Sequence, residues 1–536
     1  MQEIPALIGQ FQPAHSAQKV AKDALLGAWS RYGEALLLRE TDGHIVVSAL
    51  VANRTFDKVL LVHHNLLGRF CWPGGHADGE RDLLLAARLE VEEETGVTAY
   101  PVSGEILSVD QFFVAAHQKN GVPVAAHTHY SVAFGFVADQ TQPLKIKPDE
   151  NSAVRWVGVE ELEQVCGEPH MVPVYRQILL RMREIEEKKN RTYERLPGAL
   201  LPWYAKCARS LPWRQDREPY HVWLSEIMLQ QTRVAAVIGY YERFLAAFPT
   251  IFDLAAAKDD LLFKCWEGLG YYTRARNLKK AAVCIVEQFG GVFPSQYDEI
   301  LRLPGIGEYT AGAVASICFG QPTPAVDGNV LRVIARLTEE FRPVDKPEVR
   351  ANIRQSLARV YPAGACGEFT QSLMELGAVV CVPNGQPNCG ICPASGFCMA
   401  YQNQTAGRLP VRTPKRARRA EQKTVFVLLH QNRIAVAKRG EAGLLAGMYE
   451  LPNVPGTLDE AKAIRTAETW GVRPDKICSV QNRTHIFTHV EWRMTCYTLT
   501  CQAAPERFLW ADGRRFEKDI ALPTAFKQFL ESPFRA

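Results

Sequence analysis

The chain has 536 residues, 47% of them hydrophobic and 22% charged, with a net charge of +4. That length is too great for one core and predicts three or four domains. The composition is that of an ordinary soluble globular protein, and its mild charge permits a polyanionic partner without demanding one. The N-terminal stretch "MQEIPALIGQFQPAHSAQKV" lacks a basic run followed by an apolar core, so a secretory signal is not expected in it. No apolar stretch is long enough to span a bilayer. A cytoplasmic monomer with no membrane partner is expected, with most of its 14 cysteines reduced.

Residues 1 to about 40 read as a short helical lead. From "HIVVSALVAN" (44–53) the pattern turns strand-like and continues through "KVLLVHH", "HYSVAFGFV" and "SAVRWVGV", interrupted by one helix near 81–95. Residues 172–192 read as a charged helical connector, and the pattern from 194 to about 400 is helical. "GRLPVRTPKRARRAEQK" (407–423), with two prolines and seven basic residues, reads as a linker, after which strands return. The two β-rich ends resemble each other: "LGRFCWPGGHADG" and "LAGMYELPNVPGT" each precede a helix, ending in "EEETGV" and "AETWGV" respectively. One fold is therefore expected twice, in a multidomain α+β chain with boundaries at 1–175, a connector at 176–193, a helical domain at 194–405, a basic linker at 406–423 and a last domain at 424–536.

Three features carry chemistry. Cys381, Cys389, Cys392 and Cys398 are separated by seven, two and five residues, a loop of four thiolates that suits either tetrahedral zinc or a [4Fe–4S] cluster. In "LPGIGEYTAG" (303–312), Gly305 and Gly307 allow a tight turn between two helices whose backbone N–H groups form an anion site suited to a DNA phosphate. Glu226 lies in the apolar run "VWLSEIMLQQTRV", where desolvation is expected to raise its pKa and let it hold a proton at neutral pH. Asp327 enters a helix in "PAVDGNVLRV", with Asn329 near it.

With these motifs in hand, residues 194–400 resemble the helix-hairpin-helix DNA glycosylases, and their adenine-specific branch in particular. "LPWR", "VWLSEIMLQQT", "GLGYYTRARNL", "LPGIGEYTAGA", "VDGNV", "MELGA" and the cysteine loop occur in family order. The resemblance implies a [4Fe–4S] cluster rather than zinc, although the first cysteine spacing is one residue longer than the relatives' pattern. It implies double-stranded DNA as partner, with adenine opposite 8-oxoguanine or guanine as substrate, and so action at the nucleoid of a bacterial cell. Glu226 would protonate the adenine leaving group, and Asp327, with Asn329, would stabilise the sugar cation, as paired carboxylates do in glycoside hydrolysis. The base must first leave the stack. By resemblance Gln231 and Tyr272 wedge into the duplex, and Trp213, Arg214 and Glu375 line the adenine pocket. Sister enzymes that nick DNA carry a Schiff-base lysine where this chain has Tyr309, which implies base release without strand cleavage.

Residues 40–170 resemble Nudix hydrolases. Their box, Gly-x5-Glu-x7-Arg-Glu-(apolar)-x-Glu-Glu-x-Gly, runs here from Gly75 to Gly96. Glu90, Glu93 and Glu94 match it, and three carboxylates on one helix face call for Mg2+ or Mn2+. Arg81 and Leu89 replace the box glutamate and arginine, and Glu80 and Arg88 are one place away from each. A nucleoside diphosphate compound is the expected substrate class. Residues 424–530 resemble the Nudix-like recognition domain of adenine glycosylases. Arg465, Glu468 and Thr469 stand where the three glutamates would be, so this copy should bind rather than cleave. Phe487-Thr488-His489 matches the family's 8-oxoguanine-sensing Phe-Ser-His loop. Two alternatives remain: a glycosylase with lyase activity of the endonuclease III type, and a Nudix hydrolase tethered to a DNA-damage-binding module.

Overall fold

The computed structural model describes residues 3–119, 122–414, 417–440 and 443–530. Two compact units divide the chain: residues 1–208 with 326–413, and 209–325 with 414–536. Among the described residues no helix is long and apolar enough to cross a membrane.

The first unit opens with helices Ile4–Gln10 and Ser16–Tyr32, the expected lead. A mixed sheet follows. Its centre is the parallel pair Gly43–Ala52 and His127–Val137, flanked by Lys58–His64 and Asn151–Gly158 on one side and by Ser108–Val114 on the other. The short strand Gly74–His76 pairs antiparallel with Gly43–Ala52 and leads into helix Leu83–Thr95, which Asp82 caps through the Leu85 amide at 3.1 Å. Every residue of Gly43–Ala52 is buried, as a strand covered on both faces must be.

Val172–Cys207 is one helix of 36 residues that runs through Pro197 and Pro202, so the expected boundary at 193/194 falls inside it. Its buried face continues from Val172, Tyr175 and Ile178 to Tyr193, Leu196 and Leu200, and this tertiary burial overrides the local preference of the prolines. Helices Gly328–Leu337, Pro347–Ala358 and Cys366–Glu375 and the cysteine loop also belong to this unit.

The second unit contains the helices Pro219–Leu229, Val234–Ala247, Thr273–Phe289 and Glu308–Phe319, followed by a second mixed sheet. That sheet is again centred on a parallel pair, Arg419–His430 with Val490–Cys501, with Arg433–Lys438 and Pro474–Ile486 on its flanks. The expected linker is shorter than its composition suggests. Arg419 to Lys423 already pair with Val490 to Met494, while Lys415 and Arg416 lie outside the described residues.

Candidate functional site

In the second unit Glu226 sits on helix Pro219–Leu229 and is only 5% exposed. Val222, Trp223, Leu224, Ile227 and Met228 around it are buried as well. The Tyr309 hydroxyl, from helix Glu308–Phe319, donates to Glu226 Oε2. A buried carboxyl thus has one oxygen fixed by a phenol. Trp213 is buried edge-on to Tyr241 at 5.4 Å, and Arg214 reaches the Arg209 carbonyl at 3.4 Å.

The Glu226 helix ends in an irregular backbone. Gln231 is exposed at φ +59°, a left-handed conformation that a non-glycine residue adopts at a cost. Tyr271 is a second such residue, at φ +47°. The wedge assignment needs correction here. Tyr272 is 6% exposed and packs against Phe263, whereas its neighbour Tyr271 is 48% exposed. The left-handed turn at 271 throws that ring outward, so Tyr271 is the tyrosine available to a duplex. Arg274, which sequence reasoning missed, ties this region together. Its guanidinium donates to the carbonyls of Ile227, Met228 and Gln230 at 2.7, 3.1 and 2.8 Å, and to those of Leu269 and Gly270 at 3.0 and 3.1 Å. One side chain thereby satisfies the orphan carbonyls at the end of the Glu226 helix and of the Tyr271 loop.

The glycine turn lies between helices Tyr297–Leu301 and Glu308–Phe319. Gly305 has φ +76°, and a Cβ there would meet Asn277 at 2.5 Å. Gly307 caps the second helix with open space around it, leaving that N-terminus accessible to an anion.

In the first unit Asp327 caps helix Gly328–Leu337. Its Oδ1 accepts from the Val330 amide at 2.7 Å and its Oδ2 from Asn329 Nδ2 at 2.8 Å, while burial pushes its pKa up. Asn329 in turn accepts from Arg332 at 2.9 Å, and Arg332 donates to the carbonyls of Gly377 and Cys381 at 2.7 and 2.8 Å. The carboxylate is thus wired to the cysteine loop through two side chains. Glu375 is fully buried at the end of helix Cys366–Glu375.

Cys381, Cys389, Cys392 and Cys398 line one pocket together with the apolar side chains of Val333, Leu337, Leu376 and Val380. Arg336 Nη1 lies 3.3 Å from Cys381 Sγ. Four thiolate donors, an apolar wall and an adjacent cation fit an anionic iron–sulfur cluster.

In the N-terminal sheet domain Glu90, Glu94 and Glu150 bring carboxylate oxygens within 4.8 Å of one another. Burial, then neighbouring carboxylates, push Glu90 up to about 7 and Glu94 to about 8. Glu90 rests against Gly75, where a Cβ would meet Oε1 at 2.3 Å, and the Gly74 amide donates to Glu94 Oε2 at 3.2 Å. Three converging carboxylates, Glu94 buried and Glu90 and Glu150 half-buried, fit a hard divalent cation. The expected set is corrected at one member. Glu93 is exposed and pairs with Lys147 at 3.1 Å, and Glu150, which reaches the same lysine at 3.0 Å, takes its place in the cluster. The box substitutions do not re-form the usual pair. Arg81 binds Glu34, Arg88 binds Glu92, and Glu80 accepts from the Asp82 amide.

In the C-terminal domain Arg465, Glu468 and Thr469 are all exposed on helix Glu460–Thr469. Phe487, Thr488 and His489 form the turn between strands Pro474–Ile486 and Val490–Cys501. Phe487 packs on Trp492 at 4.8 Å, and the Thr488 hydroxyl lies 3.3 Å from that of Tyr271.

These features define a base-excision scaffold with a Nudix domain before and after it. Residues 224–358 match the HhH-GPD superfamily base excision DNA repair protein family, and residues 43–178 and 424–532 each match the NUDIX domain. The chain belongs to the adenine DNA glycosylase family. It is 36% identical to the adenine DNA glycosylase of Arabidopsis thaliana over 58% of this chain and 58% of that one. With the enzyme of Mus musculus it shares 34% identity over 57% of this chain and 70% of that one. With that of Buchnera aphidicola subsp. Schizaphis graminum it shares 30% over 62% and 96%. Among solved structures, a thermostable thymine-DNA glycosylase is 28% identical over 40% of this chain and 98% of that one, with a TM-score of 0.37.

Proposed function

We propose that this protein hydrolyses the N-glycosidic bond of adenine mispaired with 8-oxoguanine or guanine in duplex DNA, and leaves the strand uncut. The observation that carries the reading is the buried Glu226 carboxyl held by the Tyr309 hydroxyl. Glu226, with Oε2 held by the phenol, carries the proton that passes to adenine N7. The C1′–N9 bond then breaks and its electron pair leaves with the base. Asp327, oriented by the Val330 amide and by Asn329, stabilises the sugar cation. Water adds to C1′ and gives its proton to the Glu226 carboxylate, which restores the starting state. Trp213, Arg214 and Glu375 are assigned to the adenine pocket, Gln231 and Tyr271 to the duplex wedge, Gly305 and Gly307 to a backbone phosphate, and Phe487, Thr488 and His489 to the opposing 8-oxoguanine. Cys381, Cys389, Cys392 and Cys398 would hold a [4Fe–4S] cluster, which would supply structural cross-linking rather than a reacting group. Single-turnover assays on A:8-oxoguanine duplexes test the reading. Base release should precede alkali-dependent cleavage, and Glu226→Gln should abolish it. Strand cleavage without alkali, or tight binding without product, would overturn it.

In the N-terminal domain Glu90, Glu94 and Glu150 would hold Mg2+ or Mn2+, which polarises a diphosphate for attack by water. A second activity on a nucleoside diphosphate compound follows. Hydrolysis of such compounds by the full chain, lost in Glu94→Gln, is the expected result.

A further inference from the structure

Away from the acidic cluster, the N-terminal sheet gathers four histidines from three strands. His44 lies on the central strand, opposite His129 in the parallel ladder, and His127 precedes His129 by two residues and so shares its face. His76 ends the short strand on the other flank. The His44 ring centroid is 4.9 Å from that of His76, 4.9 Å from that of His127 and 4.8 Å from that of His129. His44, His127 and His129 each present a ring nitrogen within 4.8 Å of the others.

Two observations point to a ligand. His44 is 5% exposed, yet neither of its ring nitrogens has a hydrogen-bond partner among the described residues. Buried polar atoms are nearly always paired, so an imidazole aimed into a ring of other imidazoles needs an explanation. The second is the orientation of the outer pair. His127 Nδ1 donates to the Ala125 carbonyl at 2.8 Å, which makes Nε2 the acceptor of the 3.0 Å hydrogen bond from His129 Nε2, a bond whose proton a metal ion would replace. This carbonyl-fixed tautomer is the one that metal-bound histidines use.

The C-terminal domain supplies an internal control. Its ladders register Glu421 with Trp492 and Lys423 with Pro455, as the N-terminal ladders register His44 with His129 and Val46 with His76. At the positions of His44 and His129 it therefore carries Glu421 and Trp492, and these satisfy each other through an indole N–H···carboxylate bond of 3.1 Å. The fold does not require an unsatisfied group at this point.

We propose that His44, His127 and His129 form a binding site for a borderline divalent transition metal of the zinc class, with His76 flanking it. Nitrogen-only donors favour such an ion over Mg2+ or Ca2+, which separates this site chemically from the all-carboxylate cluster in the same domain. Three protein ligands leave a fourth tetrahedral position for water or an added ligand. The ion would clamp the two central strands together.

The test uses the full chain with its cysteine loop loaded as isolated, dialysed against buffered Zn2+ in excess Mg2+. We expect about one zinc per chain at this site, with X-ray absorption at the zinc edge reading imidazole nitrogen and no sulfur. In His127→Ala/His129→Ala the bound zinc should fall at least about tenfold, and the zinc-dependent rise in melting temperature should vanish. The single variant His127→Ala, at a half-exposed position, serves if the double variant does not fold. Equal zinc in wild type and variant, sulfur in the ligand shell, or displacement of the zinc by Mg2+ each overturns the site.

Discussion

In the N-terminal domain Gly43–Ala52 lies parallel to His127–Val137 and antiparallel to Gly74–His76. In the C-terminal domain Arg419–His430 lies parallel to Val490–Cys501 and antiparallel to Asn453–Pro455. The ladders put Gly75 and Val454 at the same point, each central in its three-residue strand. In the first domain that point is vacated for the Glu90 carboxylate. In the second a β-branched side chain fills it, and the three box positions on the facing helix, Arg465, Glu468 and Thr469, are exposed. The same sheet thus folds with or without a buried acidic cluster. The carboxylates of the first domain weaken the fold they sit in, which is the mark of residues kept for binding.

The largest expected effect separates the two helices. Glu94→Gln should lower diphosphate hydrolysis by at least about 10²-fold, because loss of a direct ligand exceeds loss of a supporting contact. In the C-terminal domain Thr469 stands at the position of Glu94, and Glu468→Gln, the remaining box carboxylate there, should leave hydrolysis unchanged. A loss in Glu468→Gln as well would break the contrast.

Metal removal and pH sharpen it next. In chelator-treated protein the folded-state pKa of Glu94 is raised to about 8 from an ordinary 4.5. The folded state then binds more protons than the unfolded one between those values, so stability is greatest at low pH and falls as pH rises through this window. A loss of roughly 2–4 kcal/mol is expected between pH 5 and 8, since one pKa unit is about 1.4 kcal/mol and Glu90 shares the titration. Added Mg2+ should flatten the profile. Denaturant melts followed across pH with and without Mg2+ check the sign, and a stability that rises with pH in the metal-free protein would contradict it.

Gly75→Ala and Val454→Ala exchange the two designs at one point. The new methyl in the first must push Glu90 aside, so Mg2+ affinity should fall by about 10–100-fold with little change in stability. The second should cost about 0.5–1.5 kcal/mol and leave hydrolysis untouched.

What the sequence disclosed follows the same divide between local and distant information. Glu226 was legible because its whole helix is apolar, the cysteine loop because its spacing is compact, and Glu90 and Glu94 because one turn of helix separates them. Glu150 was not. It lies more than 50 residues beyond the box and joins the cluster only through the strand that begins at Asn151. The histidine cluster was hidden for the same reason, since its members come from three strands brought together by ladder register. Tyr271 and Tyr272 are adjacent and chemically identical, and only the left-handed backbone at 271 decides which ring faces out. Arg274 could have been found from its place in "GLGYYTRARNL", but the five carbonyls it serves belong to a helix end and a loop that only the fold brings together.

The smallest effects concern sign rather than size. Trp492, 2% exposed, donates to Glu421, so Trp492→Phe strands a half-buried carboxylate oxygen and should destabilise the C-terminal domain by about 1–2 kcal/mol. At the matching place in the N-terminal domain, His44 has two buried nitrogens without partners among the described residues. Replacing it by phenylalanine removes polar atoms that nothing satisfies, so in zinc-free protein His44→Phe should be neutral or stabilising by up to about 1 kcal/mol. In zinc-loaded protein the same substitution should destabilise, because the binding free energy of the ion is lost with its ligand. Melting curves for the two variants, each with and without zinc, give four signs. A destabilising His44→Phe in zinc-free protein would mean that the ring is already satisfied, and that the two ladders hold their central residues in the same way.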